Sequence, residues 1–436
     1  MRSFGIRSLA ALAVSLCIAA GVSSARAADK VQAGDVVAVC GDSITEQKEY
    51  SGFIETYLAA CQQDGPIRAA QFGWSGDSMG WLWNRGGPGS ILSIHPTVVT
   101  TCYGMNDGGY KPIEPGTVKA YTEGMTRLVQ ELKKGGVRLV VVGSPGAVDS
   151  DTFRNNPEQA TMYNKTLASM SDLAKQVAQD QGCTFANVHD VMMDAMAKAK
   201  AKYGPKYHVG GGDGVHPANN GHLVMAYAFL KAMGCDGNIG TVTVDLTTGK
   251  ATATDGHKVL SFERGAVEVE STRYPFCFYG KPEDPNATAG IIEFFPFNED
   301  LNRFKLVVTG AGDHPDALVR VTWGPTSKEF KAADLAKGIN LAAEFLNNPF
   351  SEPFQKVRQT VRGKQDWETT YYKSHLSGFN GLQKDVREGD PELADALDKA
   401  LTQVPTALVK KDVKLAAGVA ASVVPVKHTI KIEPVK

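Results

Sequence analysis

Several absences narrow the reading of this chain before any motif does. No charge dominates it: 46 Lys+Arg stand against 47 Asp+Glu, for a formal net charge of −1. No Lys/Arg-rich block and no RNA-binding signature occurs, so there is no positive field to draw in nucleic acid or anionic lipid. No Cys-x-x-Cys and no His-x-x-x-His is present, and a cysteine–histidine zinc site is not readable. Beyond the first thirty residues the one notable apolar run, "LAAGVAASVVPV" at 415–426, is too short for the ~20 residues of a membrane-spanning helix. Low-complexity linkers are missing too. Hydrophobic residues at 43% and charged residues at 21% describe an ordinary globular protein, long enough for two or three domains.

The N-terminus differs from the rest. "MRSFGIRSLAALAVSLCIAAGVSSARAADK" carries Arg2 and Arg7, then an apolar stretch, then Ala25-Arg26-Ala27. These are the three parts of a secretory signal peptide, with cleavage expected after Ala27 and a secreted or periplasmic mature chain without a transmembrane anchor. Leu16 before Cys17 is a poor lipobox residue. Cleavage leaves Cys40, Cys61, Cys102, Cys183, Cys235 and Cys277, an even count that permits disulfides in an oxidising compartment. Cys40 and Cys102 fall in predicted strands and read as small buried hydrophobes.

From 35 to 235 short apolar strands alternate with helical stretches. Strands are expected at 35–40, 67–73, 97–104, from about 138, and at 184–190. Helices are expected after 50, at 117–135, at 157–181 and from 219 to the C-capping Gly234. Strands this rich in valine, with no wet face, indicate a parallel sheet covered on both sides. Ligands of such doubly wound sheets bind outside the carboxyl ends of the strands.

That rule separates two copies of one tripeptide. Gly41-Asp42-Ser43 follows its strand directly, whereas Ser78 of Gly76-Asp77-Ser78 lies five residues past its strand. A serine nucleophile needs a base, an orienting carboxylate for that base, and donors for the developing oxyanion. "GGDGVHPANNGH" (211–222) supplies Asp213 and His216 three residues apart on one loop. "YGMNDGG" (103–109) supplies Asn106 just after the third strand, and Gly76 can present a bare backbone N–H. Asp42 and Asp107 read as turn-bonding aspartates, and His222 as a packing or capping residue on the last helix.

These four blocks, in this order, resemble those of the SGNH, or GDSL, hydrolase family over about residues 35–235. The resemblance implies a flavodoxin-like doubly wound sheet and a Ser-His-Asp triad of Ser43, His216 and Asp213. It also implies an oxyanion hole formed by the N–H groups of Ser43 and Gly76 and the Asn106 side chain. No cofactor and no metal is implied. Ser78 matches a structural position, and Gln71 stands where the family usually has Asn. Trp74, Trp81 and Trp83 cluster with Arg85, which makes Trp74, Trp81 and Arg85 candidates for holding a sugar ring.

The expected activity is hydrolysis of carboxylic esters, with acyl groups on carbohydrate as substrate. A lipase or arylesterase, an O-acyltransferase using the same serine, and a non-catalytic glycan-binding protein are the alternatives. After residue 235 the alternation stops. Residues 236–330, with "AGIIEFFPF" among the strands, read as a β-sandwich-like domain, 331–410 as a helical segment that could cap the active site, and 411–436 as a strand returning to the β-domain. With 1–27 as leader and 28–235 as hydrolase domain, every residue of the expected chemistry lies in the first half.

Overall fold

The structure is a computed structural model that describes residues 30–62, 65–312 and 314–435. The expected leader and its cleavage point after Ala27 lie outside the described residues. Among the described residues no helix is long and apolar enough to cross a membrane.

Strands β1 (Val36–Gly41), β2 (Arg68–Gly73), β3 (Val98–Cys102), β4 (Leu139–Gly143) and β5 (Thr184–Ala186) form a five-stranded parallel sheet in the order β2-β1-β3-β4-β5. Between them run α1 (Ser43–Glu46), α2 (Tyr50–Ala60), α3 (Pro115–Lys134) and α4 (Pro157–Asp180), and α5 (Val188–Tyr203) and α6 (Asn219–Ala232) follow β5. Alternation along β1 sorts its side chains between two cores. Val37 and Val39 pack with Phe53 and Tyr57 of α2 and Leu223 of α6, whereas Ala38 and Cys40 pack with Met125 of α3 and Met170 of α4. This is the doubly wound sheet that the strand–helix alternation predicts. The fifth strand is shorter than the expected 184–190, because the Asn187 side chain accepts the Asp190 N–H and starts α5 there.

The second half adds two sheets. The first, in the order β13-β10-β6-β7, uses β6 (Asn238–Asp245), β7 (Lys250–Ala253), β10 (Arg303–Thr309) and β13 (Ile339–Asn340). The second, β12-β11-β14-β9-β8, uses β8 (His257–Glu263), β9 (Ala266–Ser271), β11 (Leu318–Trp323), β12 (Thr326–Lys331) and β14 (Val426–Pro434). Val242 and Leu306 of one sheet share a core with Val267, Val321 and Ile430 of the other. Helices α7 (Ser351–Thr370), α8 (Gly378–Gly389) and α9 (Pro391–Ser422) precede β14. A π-helical stretch, Tyr371–Ser377, joins α7 to α8.

Two expectations are corrected. "AGIIEFFPF" is not a strand: a 3-10 turn at Ile291–Phe294 leads to a short helix at Phe297–Leu301. Pro296 has no N–H to give a ladder, and Glu299 and Asp300 suit the first turn of a helix. The segment from 411 is likewise helical as far as Ser422, where alanines favour helix, so β14 begins only at Val426. Cys40, Cys61, Cys102, Cys183 and Cys277 are free thiols.

Helix α7 lies along β2, the edge of the parallel sheet. Its Lys364 donates to the Ala69 carbonyl, and Glu368 accepts the Gln71 N–H at 2.9 Å. Backbone groups that an open edge would leave unpaired are thereby satisfied. Gln71 also reaches Thr369 with its side chain (2.6 Å), so the longer amide at this position ties the helix to the strand.

Across the two β-sheets runs one buried chain of hydrogen bonds. Trp323 Nε1 donates to His428 Nδ1 (3.1 Å), His428 Nε2 donates to Ser271 Oγ (2.9 Å), Ser271 donates to His257 Nδ1 (2.7 Å), and His257 Nε2 donates to the Ile239 carbonyl (2.9 Å). The indole can only donate, so His428 Nδ1 is unprotonated and that ring is neutral; the carbonyl can only accept, so His257 carries a hydrogen on Nε2. Burial pushes the pKa of His257 down to about 4 and that of His428 to about 3, with the Arg273 charge adding to the effect on His257. Both values lie below the unfolded ~6.5, so this stability is complete above pH ~6.5 and is lost as pH falls toward 4. Thermal unfolding at pH 5 is expected to show a loss of the order of 1–2 kcal/mol for each histidine relative to pH 7.5. A His428→Gln variant should lose correspondingly less between the two pH values; equal losses would mean that the chain does not titrate.

Candidate active site

Ser43 opens α1 immediately beyond β1, at the carboxyl edge of the sheet. Asp42 caps that helix by accepting the Ile44 N–H at 2.9 Å. Gly41 is required for space: a Cβ there would sit 2.1 Å from Thr45 Oγ1 and 2.8 Å from the Cys102 carbonyl. Burial raises the Asp42 carboxyl to about 7 and that of Asp107 to about 6, and Asp107 accepts the Met79 and Gly104 N–H groups. Both act on loop shape.

From α1 the polar contacts run outward in one line. Ser43 Oγ is 2.8 Å from His216 Nε2, and His216 Nδ1 is 2.7 Å from Asp213 Oδ2. The other Asp213 oxygen accepts the N–H groups of Val215 and His216 at 2.9 Å each, which folds the loop so that the carboxylate faces its own imidazole. Burial opposes the Asp213 charge, but these N–H groups and the imidazole outweigh it and hold the carboxyl below the ordinary aspartate range. With the carboxylate on Nδ1, Nε2 is free to take the serine proton.

Asn106 follows β3. Its Nδ2 donates to the Asp77 carbonyl (2.9 Å) and its Oδ1 accepts from Tyr110 (3.2 Å), leaving the second Nδ2 hydrogen for a ligand. Gly76 has φ +76° in a turn closed by Asp77 N–H to the Trp74 carbonyl at 3.0 Å. A positive φ there is the geometry of the second central residue of a type II turn. Ser78 caps the short helix Met79–Asn84, accepting the Trp81 N–H at 3.3 Å. His222 is buried, stacked on Tyr50 and bonded to Gln47 (3.0 Å); burial takes its pKa down to about 3.

Of the candidate sugar-binding residues, Trp81 is 64% exposed. Together with Trp74, Ser75, Gly76, Asp77 and Arg85 it lines a hollow of about 330 Å³. Arg85 is committed inward: it pairs with Asp77 (2.6 Å), donates to the Tyr372 hydroxyl (2.8 Å) and stacks 4.5 Å over Trp74. It braces the loop. Residues that the motifs did not point to also meet here. Glu46 accepts from Ser75 and from Lys373 (both 2.5 Å); burial opposes its charge, but these bonds outweigh it and lower the Glu46 pKa.

The five-stranded doubly wound parallel sheet is consistent with the core of an SGNH-type hydrolase. Residues 39–224, somewhat less than half of the chain, match the model of the GDSL-like lipase/acylhydrolase family, a family of ester-hydrolysing enzymes. No curated protein matches it in sequence. Among solved structures, a gut microbial diltiazem-metabolizing enzyme is similar over 94% of this chain and 100% of its own, at 22% identity and a TM-score of 0.70. That likeness in fold extends through the second half. A catalytic mutant of an acetylxylan esterase from Geobacillus stearothermophilus is similar over 47% of this chain and 96% of its own, at 21% identity and a TM-score of 0.38.

Proposed function

We propose that this chain hydrolyses carboxylic esters of carbohydrate with Ser43 as nucleophile, His216 as general base and Asp213 as its orienting carboxylate. The observation that carries the reading is the unbroken line from Asp213 through His216 to Ser43, with bonds of 2.7 and 2.8 Å. Ser43 Oγ attacks the ester carbonyl while His216 Nε2 takes its proton. The carbonyl oxygen, now negative, is met by the N–H groups of Ser43 and Gly76 and the free Nδ2 hydrogen of Asn106. His216 returns the proton to the departing alcohol, and a water activated by the same imidazole then releases the acid from Ser43.

A short acyl group on a sugar fits the surroundings best. The exposed Trp81 lines the same hollow as Gly76 and offers a ring-sized apolar platform there. A leader cleaved after Ala27 would put the mature chain, from Ala28, outside the cytoplasm, where glycans are met. The hydrolase domain 28–235 would carry the chemistry, with the β-rich and helical parts as accessory units.

A biotinylated fluorophosphonate, followed by digestion and mass spectrometry, tests the nucleophile. The adduct is expected on Ser43 alone. An adduct elsewhere, or none on protein that still hydrolyses p-nitrophenyl acetate, would overturn the assignment.

A further inference from the structure

The turn that carries Gly76 is gripped on both flanks by the C-terminal helical arm. On one flank, Ser75 gives its N–H and its hydroxyl to Glu46 Oε2, each at 2.5 Å, and Glu46 Oε1 accepts from Lys373 Nζ at 2.5 Å. On the other, Asp77 pairs with Arg85 (2.6 Å), and Arg85 donates to the Tyr372 hydroxyl (2.8 Å). The Asp77 carbonyl is also the anchor of Asn106. Tyr372 and Lys373 are consecutive residues of the π-helical stretch that follows α7, a kind of irregularity frequent at functional sites. The Tyr372 ring meets Trp74 edge-on at 5.5 Å, and Lys373 Nζ lies 5.0 Å from the Trp74 ring centre.

The grip matters because of what Gly76 lacks. Its N–H belongs to the central peptide of the 74–77 turn, and type I and type II turns differ chiefly by a flip of that peptide. Glycine adopts either sign of φ at similar cost, and no neighbouring atom comes within 4 Å of the place where its Cβ would be. Side-chain packing therefore cannot hold the N–H toward the substrate carbonyl. What restrains it are the anchored residues on either side, Ser75 and Asp77.

We propose that Lys373 and Tyr372 are positioning residues for the oxyanion hole, acting through Glu46–Ser75 and Arg85–Asp77 to fix the direction of the Gly76 N–H. The inference rests on the proposed hydrolytic role of Gly76 and Asn106. It makes the second half of the chain part of turnover, although none of its residues need touch the reacting atoms.

The test measures kcat and KM on p-nitrophenyl acetate and on a bulky ester for Lys373→Met, Tyr372→Phe, Lys373→Arg and Asn106→Ala. Lys373→Met and Tyr372→Phe are each expected to lower kcat by about tenfold on both esters, a fraction of the 10²–10³ that a whole lost donor costs. KM should move less than twofold, and Lys373→Arg should recover most of the loss. Inhibition by a boronic acid, which forms a tetrahedral adduct, should weaken in parallel with kcat. If both variants keep kcat while Asn106→Ala loses it, the positioning role is overturned and the hydrolytic reading stands. Unchanged kcat in Asn106→Ala would overturn the oxyanion assignment itself. A raised KM confined to the bulky ester, with kcat kept, would make the two residues substrate contacts and overturn the proposal.

Discussion

Alanine at position 43 is expected to lower kcat on an activated acetate ester by roughly 10⁵–10⁶-fold, the scale on which loss of a triad nucleophile acts. The fold should persist, because the Asp42 cap and the close approach of Gly41 to Thr45 remain in place. The second Gly-Asp-Ser serves as the internal control. Ser78 Oγ accepts the Trp81 N–H at 3.3 Å, so Ser78→Ala should lose about 1 kcal/mol of stability, as an N-cap does, and little turnover. Rates on p-nitrophenyl acetate, with circular dichroism to confirm folding, distinguish the two. A Ser78→Ala enzyme as inactive as Ser43→Ala would reverse the assignment.

The largest effect on stability is expected at Lys364. Only 2% exposed, it lies 3.0 Å from Glu55 and 3.8 Å from Asp412, and it is also bonded to Glu368. Burial raises the pKa of Glu55 and that of Glu368, so each carboxylate depends on its cation to stay charged. Arg68 shares Asp412, and Gln365 links Glu55 to Ser51. Methionine at 364 fills the space but leaves those carboxylates without their shared partner. A loss of about 3–5 kcal/mol is expected in urea unfolding, the usual result of removing one side of a buried pair. Adding Glu368→Gln to Lys364→Met should recover part of it. A loss below ~1 kcal/mol would mean that water, not Lys364, compensates the cluster.

The parts legible in the sequence are those with a local period. Five apolar strands alternate with helices, so β1 to β5 appear near their true places. Asp213 and His216 are three residues apart, so their pairing needs no knowledge of the fold. Contacts between distant segments leave no such pattern. Lys373 and Glu46 are 327 residues apart, and nothing near either residue signals the other. Gln71 stands in sequence as a departure from the family pattern; the helix against β2 shows what its extra methylene reaches. Arg85 reads as a ligand because it stands among tryptophans, and its inward commitment depends on Tyr372. "AGIIEFFPF" misled through β-forming residues whose ladder Pro296 cannot extend.

The placement of β14 has a kinetic consequence. This strand lies between β9 and β11, not at an edge. Its His428 bonds Ser271 across 157 residues and Trp323 across 105. Contacts so far apart in sequence incur loop-closure entropy before they return any stability, which slows folding. The five-stranded sheet cannot close until α7, α8 and α9 have been synthesised. During that interval β2 still awaits Lys364 and Glu368, and an uncovered strand edge is a template for another chain. Refolding from urea should therefore be slow and should depend on protein concentration, with aggregation competing at the stage when the parallel sheet is formed and its edge is still open.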